Sequence, residues 1–402
     1  MAKHATQQAE TMDAANAHQR AGRPDLAIPL YRSILAADPR NAEAHKMLAI
    51  ALFQNGDADA AEQSARRAAA AKPNAVDGAN ILASILGQRG RYEESVQALR
   101  PLEARLAPFP GACLTYGLAL RGLRDYAAAA IWFAKAAESD PALPDVYLNL
   151  GFVLAELGNR DEAIAALRHA VERAPTSAAA RHMLASLDNS NPPAPPIDYV
   201  RSLFDEYAPR FERELTVDLG YRVPEILRQM IDAARPSVKF LRALDLGCGT
   251  GLSGIAVKDR VTEIVGVDVA KAMIAEARAK KIYTALFGLE IAAYLASNDA
   301  QRKPFDLVLA ADVFIYVGKL DDIFATLAQR MAPNGLFAFS VEGHDGAGFV
   351  LYESGRYAHG VAYIERLAAE HGFAVVAQEA IAIRKAKDGQ VNGFAFVLER
   401  TG

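Results

Sequence analysis

The stretch that decides the fold is Ala243-Leu-Asp-Leu-Gly-Cys-Gly-Thr-Gly-Leu252. Its first half is apolar around Asp245, as in a buried strand, and its second half places Gly247, Gly249 and Gly251 at alternate positions. Glycine allows the chain to turn sharply and lets a ligand lie directly against the backbone. The pattern therefore predicts a strand, a ligand-binding turn and a helix, in that order.

A second acidic residue, in addition to Asp245, supports this interpretation and restricts the class of ligand that the turn can bind. The next apolar run, Ile264-Val-Gly-Val-Asp268, ends in an acid that can accept hydrogen bonds from both ribose hydroxyls of a nucleoside. The glycine spacing is G-x-G-x-G, unlike the G-x-G-x-x-G that suits a pyrophosphate. The carboxylate of Asp245 would repel a bound anion but suits a ligand with an amino group or a cation. We therefore predict S-adenosylmethionine rather than a dinucleotide.

Short apolar runs alternate with helical patterns around this turn, which predicts an α/β fold with a mainly parallel sheet. The last two runs have only Lys387-Asp-Gly-Gln390 between them and should form an antiparallel hairpin. The predicted strands are Phe240–Leu246, Glu263–Val269, Tyr283–Phe287, Asp306–Ala311, Leu336–Val341, Ala374–Ile383 and Gly393–Leu398. Helices are predicted at about 250–259, 271–281, 290–297, 319–332 and 360–371, after a helical stretch from Val200 to about Ala234.

Together these motifs resemble a class I S-adenosylmethionine-dependent methyltransferase, with a seven-stranded Rossmann-like domain over 198–402. The resemblance implies that 245–251 carries the methionine moiety and that Asp268 holds the ribose. It also implies that Leu289 and Glu290 contact the adenine edge, although many relatives have Asp in place of Leu289. The implied cofactor-binding residues are Asp245, Leu246, Gly247, Cys248, Gly249, Gly251, Asp268, Val269, Met273, Leu289, Glu290, Asp312 and Val313.

The sequence motifs on the acceptor side are less specific than those on the cofactor side. The fourth strand ends in Ala311-Asp-Val-Phe314, which differs from the Asn-Pro-Pro-Tyr type that cradles an amide or an adenine amine. The segments 200–208 and 221–224 resemble the helical lid of a bacterial group of methyltransferases that carry tetratricopeptide repeats. The catalytic candidates are His359, Tyr207, Tyr316 and Arg384, with Tyr221, Arg222 and Tyr363 as further acceptor-side candidates. His359 is the predicted base, if one is used, because only histidine titrates near neutral pH.

The first half of the chain repeats every 34 residues, with units that begin near Gln8, Ala42, Val76, Pro110 and Pro144. Small residues recur at the eighth and twentieth positions, where they let two antiparallel helices approach closely. Glycine recurs at the fifteenth position, where it suits a turn with positive φ. Proline recurs near the end of each unit and stops the second helix.

This pattern resembles a tetratricopeptide repeat array over 1–187, with a capping helix at Ala178–Leu187. The resemblance implies a solenoid whose groove binds a protein or peptide, and the predicted groove residues include Lys46, Phe53, Leu118, Arg121 and Phe152. A different possibility is that the array serves only assembly. Residues 188–197 contain four prolines and are predicted to form an extended linker.

Composition excludes several classes of protein. The 402 residues include 44 Lys and Arg against 48 Asp and Glu, so a basic nucleic-acid-binding surface is not expected. Two cysteines, Cys113 and Cys248, cannot form a disulfide framework or a zinc site, and no metal is predicted. No signal peptide or membrane span is recognised, so a cytoplasmic protein is expected.

We therefore predict methyl transfer to an O or N acceptor, with the repeats binding a protein or a carrier-bound substrate. Two alternatives stay open from the sequence. One is a small-molecule methyltransferase whose repeats serve assembly, and the other is a scaffold that binds the cofactor without turnover. The sequence does not identify the methyl acceptor.

Overall fold

The computed structural model describes residues 2–386 and 389–402, and the chain divides into two compact units, Met1–Ala180 and Arg181–Gly402. Lys387 and Asp388, half of the predicted hairpin turn, lie outside the described residues. The unit boundary lies before the predicted linker at 188–197. Each unit has its own hydrophobic core.

The first unit consists of paired helices. First helices begin at Ala42, Val76, Pro110 and Pro144, the predicted starts of four units. The helices of this half are α1 (Ala2–Arg20), α2 (Pro24–Ala37), α3 (Ala42–Gln54), α4 (Ala58–Ala71), α5 (Val76–Gln88), α6 (Tyr92–Leu99), α7 (Pro110–Gly122), α8 (Tyr126–Ser139), α9 (Pro144–Glu156), α10 (Arg160–Arg173) and α11 (Ala178–Leu187). A 3₁₀ helix at Arg100–Arg105 follows α6, because Pro101 cannot continue an α-helix.

Turns between paired helices have the backbone that the repeat pattern predicts. Gly22, Gly56, Gly90 and Gly158 have φ between 70° and 86°. Arg124 takes the same place in the fourth unit and adopts a φ of 61° despite its side chain. The turn is therefore imposed by the packing of the two helices and does not depend on glycine.

Small residues at the eighth repeat position have the predicted packing role. A Cβ added at Gly117 would lie 2.6 Å from the ring of Phe133, and one added at Gly151 would lie 2.6 Å from Leu167. Both large side chains are fully buried. Glycine thus allows α7 and α8, and likewise α9 and α10, to pack closely.

The second unit is an α/β domain in which helices cover both faces of one sheet. Leu244 and Leu246 of the first strand pack in one buried cluster, and Ala243 packs in another on the opposite face. Its helices are α12 (Ile197–Arg213), α13 (Val223–Ala234), α14 (Leu252–Val257), α15 (Lys271–Ala279), α16 (Ile291–Leu295), α17 (Asn298–Arg302), α18 (Asp321–Arg330) and α19 (Val361–Glu370). A π turn at Glu214–Asp218 ends α12, so the helical stretch predicted from Val200 to Ala234 is interrupted.

Strands of the described sheet follow the order β3-β2-β1-β4-β5-β7-β6, and β9 pairs antiparallel with both β5 and β8. The strands are β1 (Phe240–Leu246), β2 (Val261–Val267), β3 (Ala285–Phe287), β4 (Phe305–Ala310), β5 (Met331–Gly343), β6 (Phe349–Leu351), β7 (Tyr357–His359), β8 (Phe373–Ala386) and β9 (Gly389–Arg400). The predicted parallel core and final hairpin are confirmed. The short hairpin of β6 and β7 was not predicted, because each strand has only three residues.

The proline-rich segment is not a free spacer. Asn191 donates to the carbonyl of Phe349 and accepts from the backbone N–H of Leu351, both at 2.9 Å. The carbonyl of Pro193 accepts from the N–H groups of Gly318 and Lys319. These hydrogen bonds attach the segment to the second unit, so the prediction of a linker is wrong in this respect.

Candidate active site

The turn after β1 has the geometry that the glycines predict. Gly247, Gly249 and Gly251 all have positive φ, at 59°, 51° and 99°. A Cβ added at Gly247 would lie 2.6 Å from Val313, which follows β4. A larger residue at position 247 would therefore collide with Val313 and would be strained in this backbone conformation.

Asp268 lies beside this turn, directly after β2. Its two carboxylate oxygens accept hydrogen bonds from the backbone N–H groups of Gly249, at 2.9 Å, and Ala270, at 2.8 Å. Burial raises the pKa of the carboxyl group, while these two N–H donors lower it. Each carboxylate oxygen can accept more than one hydrogen bond, so Asp268 retains capacity for a ligand.

Asp245 has a different environment from the one predicted. Its carboxylate is buried behind the turn and accepts a 2.6 Å hydrogen bond from the hydroxyl of Tyr283. Burial raises its pKa to about 7. Asp245 is not among the residues that line the cavity, so it supports the turn and does not face a ligand's amino group.

A cavity of about 620 Å³ opens in front of the turn. Most predicted cofactor residues meet in its wall: Gly247, Cys248, Gly249, Asp268, Val269, Leu289, Glu290, Asp312 and Val313. Leu246, Gly251 and Met273 are not in the wall. Leu246 and Met273 are fully buried, and Met273 packs against Ala208 and Ala270, so its side chain does not reach a cofactor in the cavity, contrary to the prediction.

Asp312 follows β4 in a constrained conformation. Its φ is 57°, and its backbone N–H donates to the Ser340 hydroxyl at 2.9 Å. Arg384 donates to both Asp312 oxygens, at 3.0 and 3.2 Å, and also pairs with Glu342. Arg384 is therefore a buried cation that holds two carboxylates, a positioning role that differs from the predicted catalytic one.

Both predicted catalytic tyrosines line the cavity. The ring of Tyr316 packs edge-on against Phe204 of α12, with centroids 5.1 Å apart. Tyr207 lies on the same helix, and burial raises the pKa of its hydroxyl well above the usual value. The phenol of Tyr207 is therefore protonated near neutral pH. Tyr221 also lines the wall, whereas Arg222 and Tyr363 do not.

The structure does not place His359 at the cavity. Its side chain is fully buried, and Nε2 lies 3.0 and 2.9 Å from the carbonyls of Val317 and Gly318. Burial lowers its pKa to about 4. The prediction of His359 as a base is wrong, because the ring has no access to an acceptor in the cavity.

Other cavity residues were missed at the sequence level. Thr250 lines the wall, and within the described residues its buried hydroxyl has no hydrogen-bond partner. Arg356, Lys319 and the segment from Pro193 to Ile197 also line the wall. Thr250 lies inside the quoted motif and could have been found. Arg356 could not, because the unpredicted β6–β7 hairpin positions it.

Comparison with protein families agrees with these two folds. Residues 244–337 match the family model of a methyltransferase domain. Tetratricopeptide repeat models match residues 12–76, 82–144 and 120–187. The chain carries tetratricopeptide repeats followed by a methyltransferase domain.

Curated proteins similar to the chain are O-methyltransferases. The malonyl-[acyl-carrier protein] O-methyltransferase of Geobacter sulfurreducens is 32% identical over 151 residues, which cover 36% of this chain and 53% of that protein. The ubiquinone biosynthesis O-methyltransferase of Bradyrhizobium diazoefficiens is 30% identical over 113 residues, 28% of this chain and 44% of that protein. The chain spans about half the length of the curated relatives it matches.

Solved structures similar to the chain include MamA, with 23% identity, a TM-score of 0.37 and coverage of 42% of this chain and 98% of MamA. Another is YrrB, described as a TPR protein with an unusual peptide-binding site, with 21% identity, a TM-score of 0.37 and coverage of 43% of this chain and 89% of YrrB.

Among the described residues, no helix has the length and apolar character needed to cross a membrane.

Proposed function

We propose that this protein transfers a methyl group from S-adenosylmethionine to an O or N acceptor. The observation that carries the proposal is the juxtaposition of the turn at 247–249 and Asp268 in the wall of one cavity. This arrangement lies beyond the carboxyl ends of β1 and β2, where open α/β sheets bind nucleotides. The match to a methyltransferase domain over 244–337 supports it.

The residues present fit the cofactor. Asp268 would accept from the ribose hydroxyls, and Val269, Leu289 and Glu290 would surround the base. The buried hydroxyl of Thr250, without a hydrogen-bond partner among the described residues, would bind the polar methionine end. S-adenosylmethionine supplies, when bound, a methyl group activated by a positively charged sulfur.

The remaining task of the chain is to orient the acceptor and exclude water. Holding two reactants in a reactive geometry contributes about 7–11 kcal/mol to catalysis. Tyr207, Tyr221 and Tyr316 supply rigid walls on the acceptor side. Arg384 holds the Asp312 carboxylate in the cavity wall.

We also propose that the repeat groove binds a protein or a carrier-bound substrate. The predicted groove residues Lys46, Phe53, Leu118, Arg121 and Phe152 are half-buried, so each keeps part of its surface for a partner. One relative is named for a substrate attached to an acyl-carrier protein, which supports the carrier-bound alternative.

Calorimetric titration with S-adenosylmethionine tests the cofactor. We expect the full chain to bind and the Asp268→Ala variant to lose at least tenfold in affinity, about 1.4 kcal/mol. Asp345→Ala is the matched control, because Asp345 is an exposed carboxylate outside the cavity wall and should leave affinity unchanged. Absence of binding by the unmodified protein would contradict the proposed function.

Transfer of a radiolabelled methyl group into a cell lysate, followed by size fractionation, tests the repeats. We expect labelled macromolecules with the full chain, and their loss when residues 1–180 are deleted while cofactor affinity is kept. The deletion stops at Ala180 because His182 bonds to the carbonyl of Gly355 within the second unit. Label found only in small molecules would contradict a carrier-bound acceptor.

A further inference from the structure

Arg356 introduces a positive charge into a cavity wall that is mostly apolar. It precedes β7, and its guanidinium lies near the hydroxyl of Tyr316. The surrounding wall contains apolar side chains from α12, the proline-rich segment and the loop after β4: Pro193, Val200, Leu203, Phe204, Ile315 and Val317.

Three cations line the cavity within the described residues: Lys319, Arg356 and Arg384. Arg384 is already paired with Asp312 and Glu342. Lys319 is exposed to solvent, which weakens any ion pair that it forms. In the part of the chain that the structure describes, Arg356 has no carboxylate partner within 4.0 Å, the limit for an ion pair. Arg356 is therefore the cation that remains available to a ligand.

The acidic groups of the cavity wall restrict where an anion can bind. Asp268 and Glu290 lie at the end assigned to the cofactor, and Glu214 and Asp322 line the wall elsewhere. The charges of Asp312 and Glu342 raise the pKa of Arg356, but each of these carboxylates makes its ion pair with Arg384. An anion would avoid these carboxylates and bind at Arg356.

We propose that Arg356 binds the carboxylate of the methyl acceptor, and that the acceptor is a carboxylic acid with an apolar body. This inference rests on the proposed methyl transfer. A guanidinium in an apolar wall pairs strongly with a carboxylate, because both groups have lost water. The apolar side chains around Arg356 would bury the rest of the acceptor.

A carboxylate acceptor does not need a general base. Among the described lining residues there is no histidine, and a carboxylate is already ionised at neutral pH. One carboxylate oxygen forms the bond to the methyl carbon, and the carbon–sulfur bond breaks with its electron pair remaining on sulfur. No proton leaves the acceptor, and the product is a methyl ester.

Titration of the full chain, saturated with S-adenosylhomocysteine, tests the inference without turnover. The probes are butanoate, octanoate and dodecanoate, with octanamide as the neutral match of octanoate. We expect at least one carboxylate to bind, and Arg356→Met to weaken it about tenfold or more while octanamide binding stays unchanged. Lys319→Met is the matched control and should change carboxylate affinity less than about twofold.

A second measurement follows the product. Labelled methyl groups transferred to the same carboxylates should be released by mild alkali, as esters are, and Arg356→Met should reduce this label. The inference would be overturned if none of the three carboxylates bound, or if Arg356→Met bound them as tightly as the unmodified protein. Loss of S-adenosylmethionine binding by the unmodified protein would instead contradict the proposed function, so the two failures are distinct.

Discussion

Two aspartates beside the glycine-rich turn have different environments, because their side chains point in different directions. Asp268 faces the cavity and accepts from two backbone N–H groups. Asp245 lies behind the turn and accepts from Tyr283. Residue type and spacing identified both positions, but the burial of one carboxylate depends on Tyr283, which is distant in the sequence.

The buried Asp245 carboxyl predicts a specific dependence of stability on pH. Its pKa is raised from 3.8 to about 7 in the folded chain, so the folded state binds an extra proton between these values. The carboxyl group therefore stabilises the protein below about pH 4, and this contribution is lost as the pH rises through about 7.

Urea unfolding at a series of pH values, compared between the unmodified chain and Asp245→Asn, measures this contribution. We expect the free energy of unfolding of the unmodified chain, minus that of the variant, to fall by a few kcal/mol between about pH 4 and pH 7. A difference that stays constant across this interval would show that Asp245 is ionised throughout.

His359 should not control the pH dependence of catalysis. Its ring is buried against the carbonyls of Val317 and Gly318, and its pKa is lowered to about 4. We expect His359→Gln, whose amide can donate to the same carbonyls, to keep the pH profile of kcat and lose about 1–3 kcal/mol of stability. A profile that loses a titration step in the variant would contradict this assignment.

At the scale of elements, the close packing of paired helices in the repeats depends on glycine at the contact between them. An alanine at Gly117 would meet the ring of Phe133, which is fully buried and cannot move freely. We expect Gly117→Ala to lower the free energy of unfolding by about 1–3 kcal/mol. Gly111→Ala, whose new Cβ would point into open space within the described structure, should be neutral or slightly stabilising, and urea unfolding compares the two.

At Arg124 we expect the opposite effect, because here a glycine should stabilise the protein. Its φ of 61° lies in the left-handed region, which costs a non-glycine residue about 1–2 kcal/mol. Glycine occupies the same position in the other four repeats. We expect Arg124→Gly to raise the free energy of unfolding by about 1 kcal/mol. Unfolding curves that coincide would show that this turn carries no strain.

Elements set by local sequence were the ones that could be predicted. The first-helix starts at Ala42, Val76, Pro110 and Pro144 and the bounds of β1 follow from periodicity and from glycine or proline at fixed places. The β6–β7 hairpin and α17 were missed, because segments of three and five residues carry too little pattern. Arg356 was missed with the hairpin that holds it.

At the scale of the whole molecule, the segment from Asn191 to Ile197 is structurally part of the second unit. Pro193, Ala194 and Pro195 line the cavity, and Asn191 pairs with β6. No composition rule distinguishes a proline-rich spacer from a proline-rich strip that pairs with a strand. Its hydrogen bonds depend on the β6–β7 hairpin, which was not predicted.

Two shortened chains test whether the proline-rich segment is a spacer or a stabilising part of the second unit. A chain that begins at Arg181 retains the hydrogen bonds of His182 and Asn191, whereas one that begins at Asp198 loses them. We expect the second to have a Tm lower by several degrees, because each hydrogen bond that it loses contributes about 0.5–1.5 kcal/mol. Equal Tm values in differential scanning calorimetry would restore the interpretation of the segment as a linker.

The attachment of the proline-rich strip has a consequence for how such proteins can diverge. Recombination that joins a new repeat array upstream of Arg181 would leave the pocket intact. A crossover within the prolines would import foreign side chains into that pocket, so a change of partner and a change of acceptor would be inherited together.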